Sequence, residues 1–484
     1  MYIAVLQRLI WSCLVLIAVD GLWASIYGHV RTSGGITLVS TLLVTAVIVA
    51  AIAVARREIA ALFVACSRWI YVDSTAQFLI FCIVFGWTLR AAWVFGFRPL
   101  QVSDYAQYVS LAEGLIKYGT YDGGVSAYWP PGMALFLVPP IRILPDSTWA
   151  PVVNNLFLYG LLVVVTYILA RLAAGKRVAQ IASLLLAVWP NHVFATGLAM
   201  KELLIATLLP LAILLFAAPS ITPRWSSHAA RLAAGGCLGF AALTQPSTVL
   251  FPLVLVNYEV LSRRGLREAT MRLLPVAIGL VIVISPWTVR NFFALHAFVP
   301  VSTNGAVVFL SANNPKATGG WIQMDYEKYR RGNELEGARM AYREAFDWIR
   351  ANPVAFALLT VKKQVRFLQD DDAAAVTTLW LARGIKDYRL STFVILSNVF
   401  WYAILVLVLV AALEHWVSSW RENPLILSLI VSVVYFFLIH SIFQSESKHH
   451  LNVIVSFAIL AALAAKVRAS PSISAGPAGT PSRK

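Results

Sequence analysis

Apolar runs of bilayer length follow one another through this chain of 484 residues. A helix needs about twenty such residues to cross the hydrocarbon core, and in lipid every backbone polar group must be satisfied inside the structure. Such a chain folds as a polytopic bundle of helices. Spans are expected near 9–27, 36–55, 77–97, 152–170, 178–195, 199–218, 229–246, 247–261, 273–288, 392–413, 424–443 and 450–466, about twelve in all. Only 13% of the residues are charged, against roughly 25% in soluble domains. The first run passes into the second without a small-residue cleavage site, so it reads as a retained span.

Two long stretches, 98–150 and 288–390, interrupt this pattern. The basic residues of the short turns decide which way they face. Arg56, Arg57, Arg68, Arg171, Lys176, Arg177, Arg224, Arg231, Arg263, Arg264, Arg267, Arg272, Lys466 and Arg468 fall on one side. Arg31, Lys201 and Lys448 fall on the other. Positive charge marks the cytoplasmic side, so both termini are expected there and both large loops outside. A pore has no use for two such loops, whereas work at the outer face does. The net charge of +16 is accounted for by this orientation, and no nucleic-acid motif accompanies it. Cys13, Cys66, Cys82 and Cys237 avoid the large loops, which argues against a disulfide framework or a zinc site. Residues 1–76 read as two additional helices with a cytoplasmic linker. Residues 77–466 read as the working unit, and 467–484 as a disordered cytoplasmic tail.

In the first loop Ser103 suits an N-cap. Tyr105, Tyr108, Leu111, Ala112, Leu115 and Ile116 share a helical face that Gly119 ends. Pro130-Pro131 start an apolar helix too short to span. In the second loop Ala338, Ala341, Tyr342, Ala345, Phe346, Trp348 and Ile349 share a face. Asn352-Pro353 opens a helix whose Lys362, Lys363 and Arg366 suit either the headgroup zone or solvent.

Ionisable residues in membrane segments are costly, so their placement is informative. Asp20 and Arg90 lie near the outer ends of their spans and are expected to snorkel. Lys201, Glu202, Thr244, Gln245, Arg290, His440 and the run 444–450 map with Asp104 to the outer boundary. Cations at that depth suit a phosphate whose lipid tail stays in the bilayer. They bond it strongly and stabilise charge as it departs. Asp104 is suited to accept a proton from an attacking hydroxyl, help worth roughly 10²–10⁴-fold. Plainer roles stand beside these. Asp104 fits a helix cap, His440 a structural contact, and 444–450 a solvated turn. Asp370-Asp371-Asp372 is expected to be a solvated acidic turn rather than a divalent-ion site.

Four motifs in order carry a resemblance. They are Ser103-Asp104-Tyr105 with Leu115-Ile116-Lys117-Tyr118-Gly119; Tyr128-Trp129-Pro130-Pro131-Gly132; Pro286-Trp287-Thr288-Val289-Arg290-Asn291 with 299–305 and 313–320; and Glu446-Ser447-Lys448-His449-His450-Leu451. Over 77–466 the chain resembles the GT-C glycosyltransferases, polytopic enzymes that use polyprenyl-phosphate sugars. It is most similar to bacterial relatives of protein mannosyltransferases and aminoarabinose transferases. The resemblance implies an all-α GT-C-like bundle with two extracytoplasmic loops, in a bacterial inner membrane. It implies inverting transfer of a sugar from a polyprenyl phosphate to an envelope glycan, lipid or protein. Membrane lipids are the surroundings, the lipid-linked sugar is a substrate, and no cofactor is required; a divalent metal stays open. Asp104 becomes the base, and Lys201, Arg290, Lys448, His449 and His450 the donor-phosphate ligands. Tyr105, Tyr128, Glu202 and Glu446 are further site candidates. The chain departs from its relatives in three places. Tyr105 follows Asp104 where many carry a second acid, Trp129 precedes the Pro-Pro where aminoarabinose transferases tend to carry Lys, and no loop is long enough for the inserted β-rich domain of eukaryotic mannosyltransferases. A flippase for a lipid-linked saccharide is the competing reading, although no internal repeat supports it. A structural envelope subunit is a third.

Overall fold

The computed structural model describes residues 2–32, 38–144, 146–221, 227–329, 333–417 and 423–467. The tail expected over 467–484 lies outside them from residue 468 onward, as does Arg224. Among the described residues every element is helical, as the apolar runs require. Eight segments of the described residues are long and apolar enough to cross a membrane, and a ninth joins them if Lys176–Val188 and Pro190–Gly197, bent by 51°, count as one span. Three of the twelve expected spans fall short of this. Leu38–Val54 has 17 residues and Pro252–Leu261 has 10; at about 1.5 Å per residue the second covers only half of a roughly 30 Å core. Ser227–Thr244 has the length, but it carries Arg231 and three glycines.

The bundle closes around its last helix. Ser447–Lys466 is buried over 89% of its most apolar stretch and Lys201–Pro219 over 78%, against 22% for Leu266–Leu295 and 28% for the first helix. The turn 444–450 therefore enters the middle of the protein. The first helix is not detached. It packs on Tyr388–Val417, Pro353–Leu368 and Pro424–Ile442, and Trp11 stacks on His415 at 4.9 Å.

Helices Ser227–Thr244 and Leu266–Leu295 touch backbone to backbone. A Cβ at Gly235 would sit 2.0 Å from the Val276 carbonyl oxygen, and one at Gly279 2.1 Å from that of Leu232. Small residues permit such close approach in membranes. Gly279→Leu is expected to part the two helices and destabilise the protein by about 1–3 kcal/mol, the usual cost of overpacking. A lowered thermal midpoint in detergent is the readout.

The break at 189–200 gives the site its foundation. Proline at 190 holds Trp189 in extended backbone (ψ 110°), a short helical piece runs over Pro190–Gly197, and after a second break the chain becomes helical again at Lys201. Irregular backbone at membrane depth survives only where protein groups satisfy it. Here two amides do so. Asn155 Nδ2 donates to the carbonyls of Thr196 and Leu198, both at 2.9 Å. Gln101 Nε2 donates to Gly197 O at 2.7 Å, and its Oε1 accepts the Ala199 N–H at 2.9 Å. The first large loop is thereby tied to the segment that presents Lys201 and Glu202.

Several expectations are corrected here. Arg90 does not snorkel. It is fully buried, donates to Gly86 O and Ala187 O, meets His192 Nδ1 at 2.7 Å and lies 3.5 Å over the Tyr159 ring. Ser103 is no N-cap either. It makes no capping bond and stands in the left-handed region at φ 51° as the first residue of Ser103–Tyr118. In Pro353–Leu368, Lys363 reaches neither headgroups nor solvent. It is buried, and its Nζ donates to Asn313 Oδ1 at 2.8 Å and Ile442 O at 2.7 Å.

Candidate active site

Asp104 sits in the first turn of Ser103–Tyr118, half-buried. A non-glycine residue at positive φ costs about 1–2 kcal/mol, and strain of this kind gathers at functional sites. The Ser103 kink sets the direction from which Asp104 enters. On the same helix Tyr105, Tyr108, Leu111 and Ala112 are buried as their spacing predicts, and Gly119 closes the helix at φ 68°.

Three distant segments meet at this helix start. Tyr105 lies within electrostatic reach of Lys448, Glu202, Glu446 and Asp104. Lys448 in turn has Glu446, Tyr105, Glu202 and Asp104 around it. Lys448 Nζ pairs with Glu446 Oε2 at 2.9 Å, with both side chains about a quarter exposed. Burial pushes the Glu446 carboxyl upward, but Lys448, the Trp321 N–H and Gln444 outweigh it and leave the group below the usual glutamate value. Burial raises the Tyr105 hydroxyl above its ordinary range, with Lys448 opposing and the three carboxylates adding to the rise.

Glu202 is 1% exposed, and neither carboxylate oxygen has a hydrogen-bond partner. A buried charge is tolerated where opposite charges lie near, and Lys448 is the cation in reach. Lys201 makes no hydrogen bond or ion pair with any described residue and is half-buried. Its charge reaches the rings of His440 and His449, which stack at 4.1 Å. The Glu446 N–H donates to His449 Nδ1 at 3.0 Å. A neutral His449 ring therefore carries its hydrogen on Nε2.

Not every expected ligand joins them. His450 is withdrawn from a phosphate role. Its Nε2 meets Asp371 Oδ1 and its Nδ1 meets Phe367 O, both at 2.8 Å, and its ring stacks on Trp401 at 4.3 Å. Asp371 is no solvated residue. It is fully buried and also accepts from Trp189 Nε1 and Asn191 Nδ2, at 2.6 and 2.5 Å. Arg290 is likewise spent on structure. Its two terminal nitrogens donate to the carbonyls of Ser126, Gly124 and Tyr121, and it lies over Trp287, fastening the first large loop to the second. Tyr128 sits in the loops' own small core with Ala306, Phe309 and Tyr329; Trp129 separates it from Tyr108, whose ring it meets edge-on at 6.0 Å.

Other residues at the site escaped the sequence reading. Tyr326 feels both Asp104 and Glu446, and burial raises its hydroxyl. Trp321 donates its N–H to Glu446 Oε1 at 3.3 Å, and Ser445 N–H donates to Gly319 O at 2.9 Å. The second loop thus drapes over the 444–446 turn, and nothing in its sequence spacing announces this. Tyr108 did carry a signal, as a member of the apolar face, but one that reads equally as packing. Among the described residues no three His, Cys, Asp or Glu side chains gather as a metal-holding group.

Residues 129–289, about a third of the chain, match the dolichyl-phosphate-mannose-protein mannosyltransferase family. That stretch includes Lys201 and Glu202 but neither Asp104 nor 444–450. No curated protein matches the chain. Among solved structures, the apo oligosaccharyltransferase of Archaeoglobus fulgidus is 14% identical, with a TM-score of 0.49, over 81% of this chain and 50% of that one. ArnT from Cupriavidus metallidurans bound to undecaprenyl phosphate is 15% identical, with a TM-score of 0.43, over 81% of this chain and 78% of that one. This chain thus spans about half the length of the archaeal enzyme. Over 129–289 it is similar to the dolichyl-phosphate-mannose-protein mannosyltransferases, one of the groups to which its motifs pointed.

Proposed function

We propose that this protein transfers a sugar from a polyprenyl-phosphate donor to an acceptor hydroxyl or amine of the cell envelope, at the face that carries the two loops. The observation that carries the reading is the meeting of Asp104 with Lys448, Glu202 and Glu446 from three remote segments. The family match over 129–289 supports it. Lys201, which makes no hydrogen bond or ion pair with any described residue, and Lys448 bind the donor phosphate and stabilise the negative charge that grows on it as the glycosidic bond breaks. His449 offers Nε2–H to the same group. Asp104 takes the acceptor's proton as its nucleophile attacks the anomeric carbon from the opposite side, which inverts the centre. Glu446 holds the Lys448 ammonium in place.

The test is a purified protein given a labelled polyprenyl-phosphate sugar and an envelope acceptor fraction. Appearance of polyprenyl phosphate together with labelled acceptor is expected. Movement of the labelled lipid across vesicles without sugar transfer would instead establish a flippase. In the same assay Lys201→Met is expected to raise KM for the donor by roughly tenfold, since one charge-assisted contact to phosphate is worth about 1.5–3 kcal/mol. An unchanged KM removes Lys201 from the donor site.

A further inference from the structure

At the end of the bundle away from the two loops, helices Ser227–Thr244, Pro252–Leu261 and Leu266–Leu295, with the turn between the last two, bring five charges together. Glu259 is 1% exposed and shared between two arginines. Arg272 Nε donates to one of its oxygens at 2.9 Å, and Arg264 Nε faces the other at 3.3 Å. Arg264 also pairs with Glu268, one helical turn on. The fifth charge is Arg231. It is 6% exposed and makes no hydrogen bond or ion pair with any described residue. Arg272, also 6% exposed, keeps Nη2 unpartnered.

Three guanidiniums against two carboxylates leave one positive charge uncompensated. A buried cation without a counter-charge is destabilising, so the cluster is complete only with an anion. The planar fork of arginine matches phosphate oxygens in geometry as well as in charge. Leu232 and Met271, next in sequence to Arg231 and Arg272, are 40% and 54% exposed. Such apolar surface beside the cations suits acyl chains and offers nothing to a soluble ion. We propose that Arg231 and the free Nη2 of Arg272 form a binding site for the headgroup phosphate of an anionic phospholipid, in the leaflet opposite the two loops. The site is separate from the Asp104 cluster and does not depend on the reaction assigned there.

The test uses the full chain, delipidated in neutral detergent and placed in phosphatidylcholine nanodiscs with or without phosphatidylglycerol. Retained lipid is counted by native mass spectrometry and the thermal midpoint is recorded. The wild-type protein is expected to retain phosphatidylglycerol over phosphatidylcholine and to melt higher with it. Arg231→Gln is expected to weaken that retention by roughly tenfold, the scale of one lost charge-assisted contact. Arg339→Gln, which removes an equal charge from an exposed position on the loop side, should leave retention unchanged. Equal retention of both lipids by the wild-type protein overturns the proposal whether or not the variant folds. So does equal stabilisation by inorganic phosphate in pure phosphatidylcholine discs, which would assign the site to a free anion. Equal loss of retention in both variants also overturns it, because net charge alone would then explain the binding.

Discussion

Asp104→Asn leaves a folded protein whose release of polyprenyl phosphate falls by about 10²–10⁴-fold, the range of general-base assistance. The amide has the carboxylate's shape, so it preserves the start of Ser103–Tyr118, but it cannot accept the acceptor's proton. Asp104 makes no hydrogen bond with any described residue whose loss would confuse the result, and Lys448, Tyr105 and Tyr326 lie within its electrostatic reach. Single-turnover release from a labelled donor, with near-ultraviolet circular dichroism as the check on folding, gives the measurement. Undiminished release by a folded variant would remove Asp104 from the reaction.

Asp371→Ala acts on stability rather than chemistry. It strips the acceptor from Trp189 Nε1, Asn191 Nδ2 and His450 Nε2 at once, in a place that water does not reach. Removing one partner of a buried pair costs about 3–5 kcal/mol, enough to unfold a marginal protein. Loss of the monodisperse folded species, or a collapse of its thermal midpoint, is expected. Asp371→Asn keeps one acceptor oxygen and is expected to fall between the two. A stability equal to wild type in Asp371→Ala would show that the network carries no load.

Spans were legible wherever hydropathy alone decides them. Apolar length places Thr75–Gly96 or Pro424–Ile442 without help from the rest of the chain, because a helix in lipid needs nothing but itself. Leu38–Val54 and Pro252–Leu261 fall short in length and Ser227–Thr244 in apolar content, because helix ends and buried charges are set by neighbours remote in the sequence. Arg90 was misread for the same reason: Tyr159, His192 and the carbonyl of Ala187 solvate it, and they lie between about seventy and a hundred residues away. At the site, the level of a charge along the membrane normal could be read from the sequence, and it put Asp104, Glu202, Glu446 and Lys448 at one level; in the structure the three carboxylates lie within electrostatic reach of Lys448 and of Tyr105. The direction in which each side chain points could not. Lys448 and His450 are two residues apart in one 3₁₀ turn, Ser447–Val453, yet one meets the carboxylates of the cluster and the other is locked against Asp371. Arg290 shares the depth of the cluster and spends its hydrogen bonds on carbonyls of the other loop.

The most enclosed helix, Ser447–Lys466, is synthesised after every partner it packs against. Until it arrives from the ribosome, the earlier helices have no common axis, and Asp371 and Glu202 face an unfilled space without His450 and Lys448. The packing of the preceding helices is therefore completed only when this last one takes its place among them.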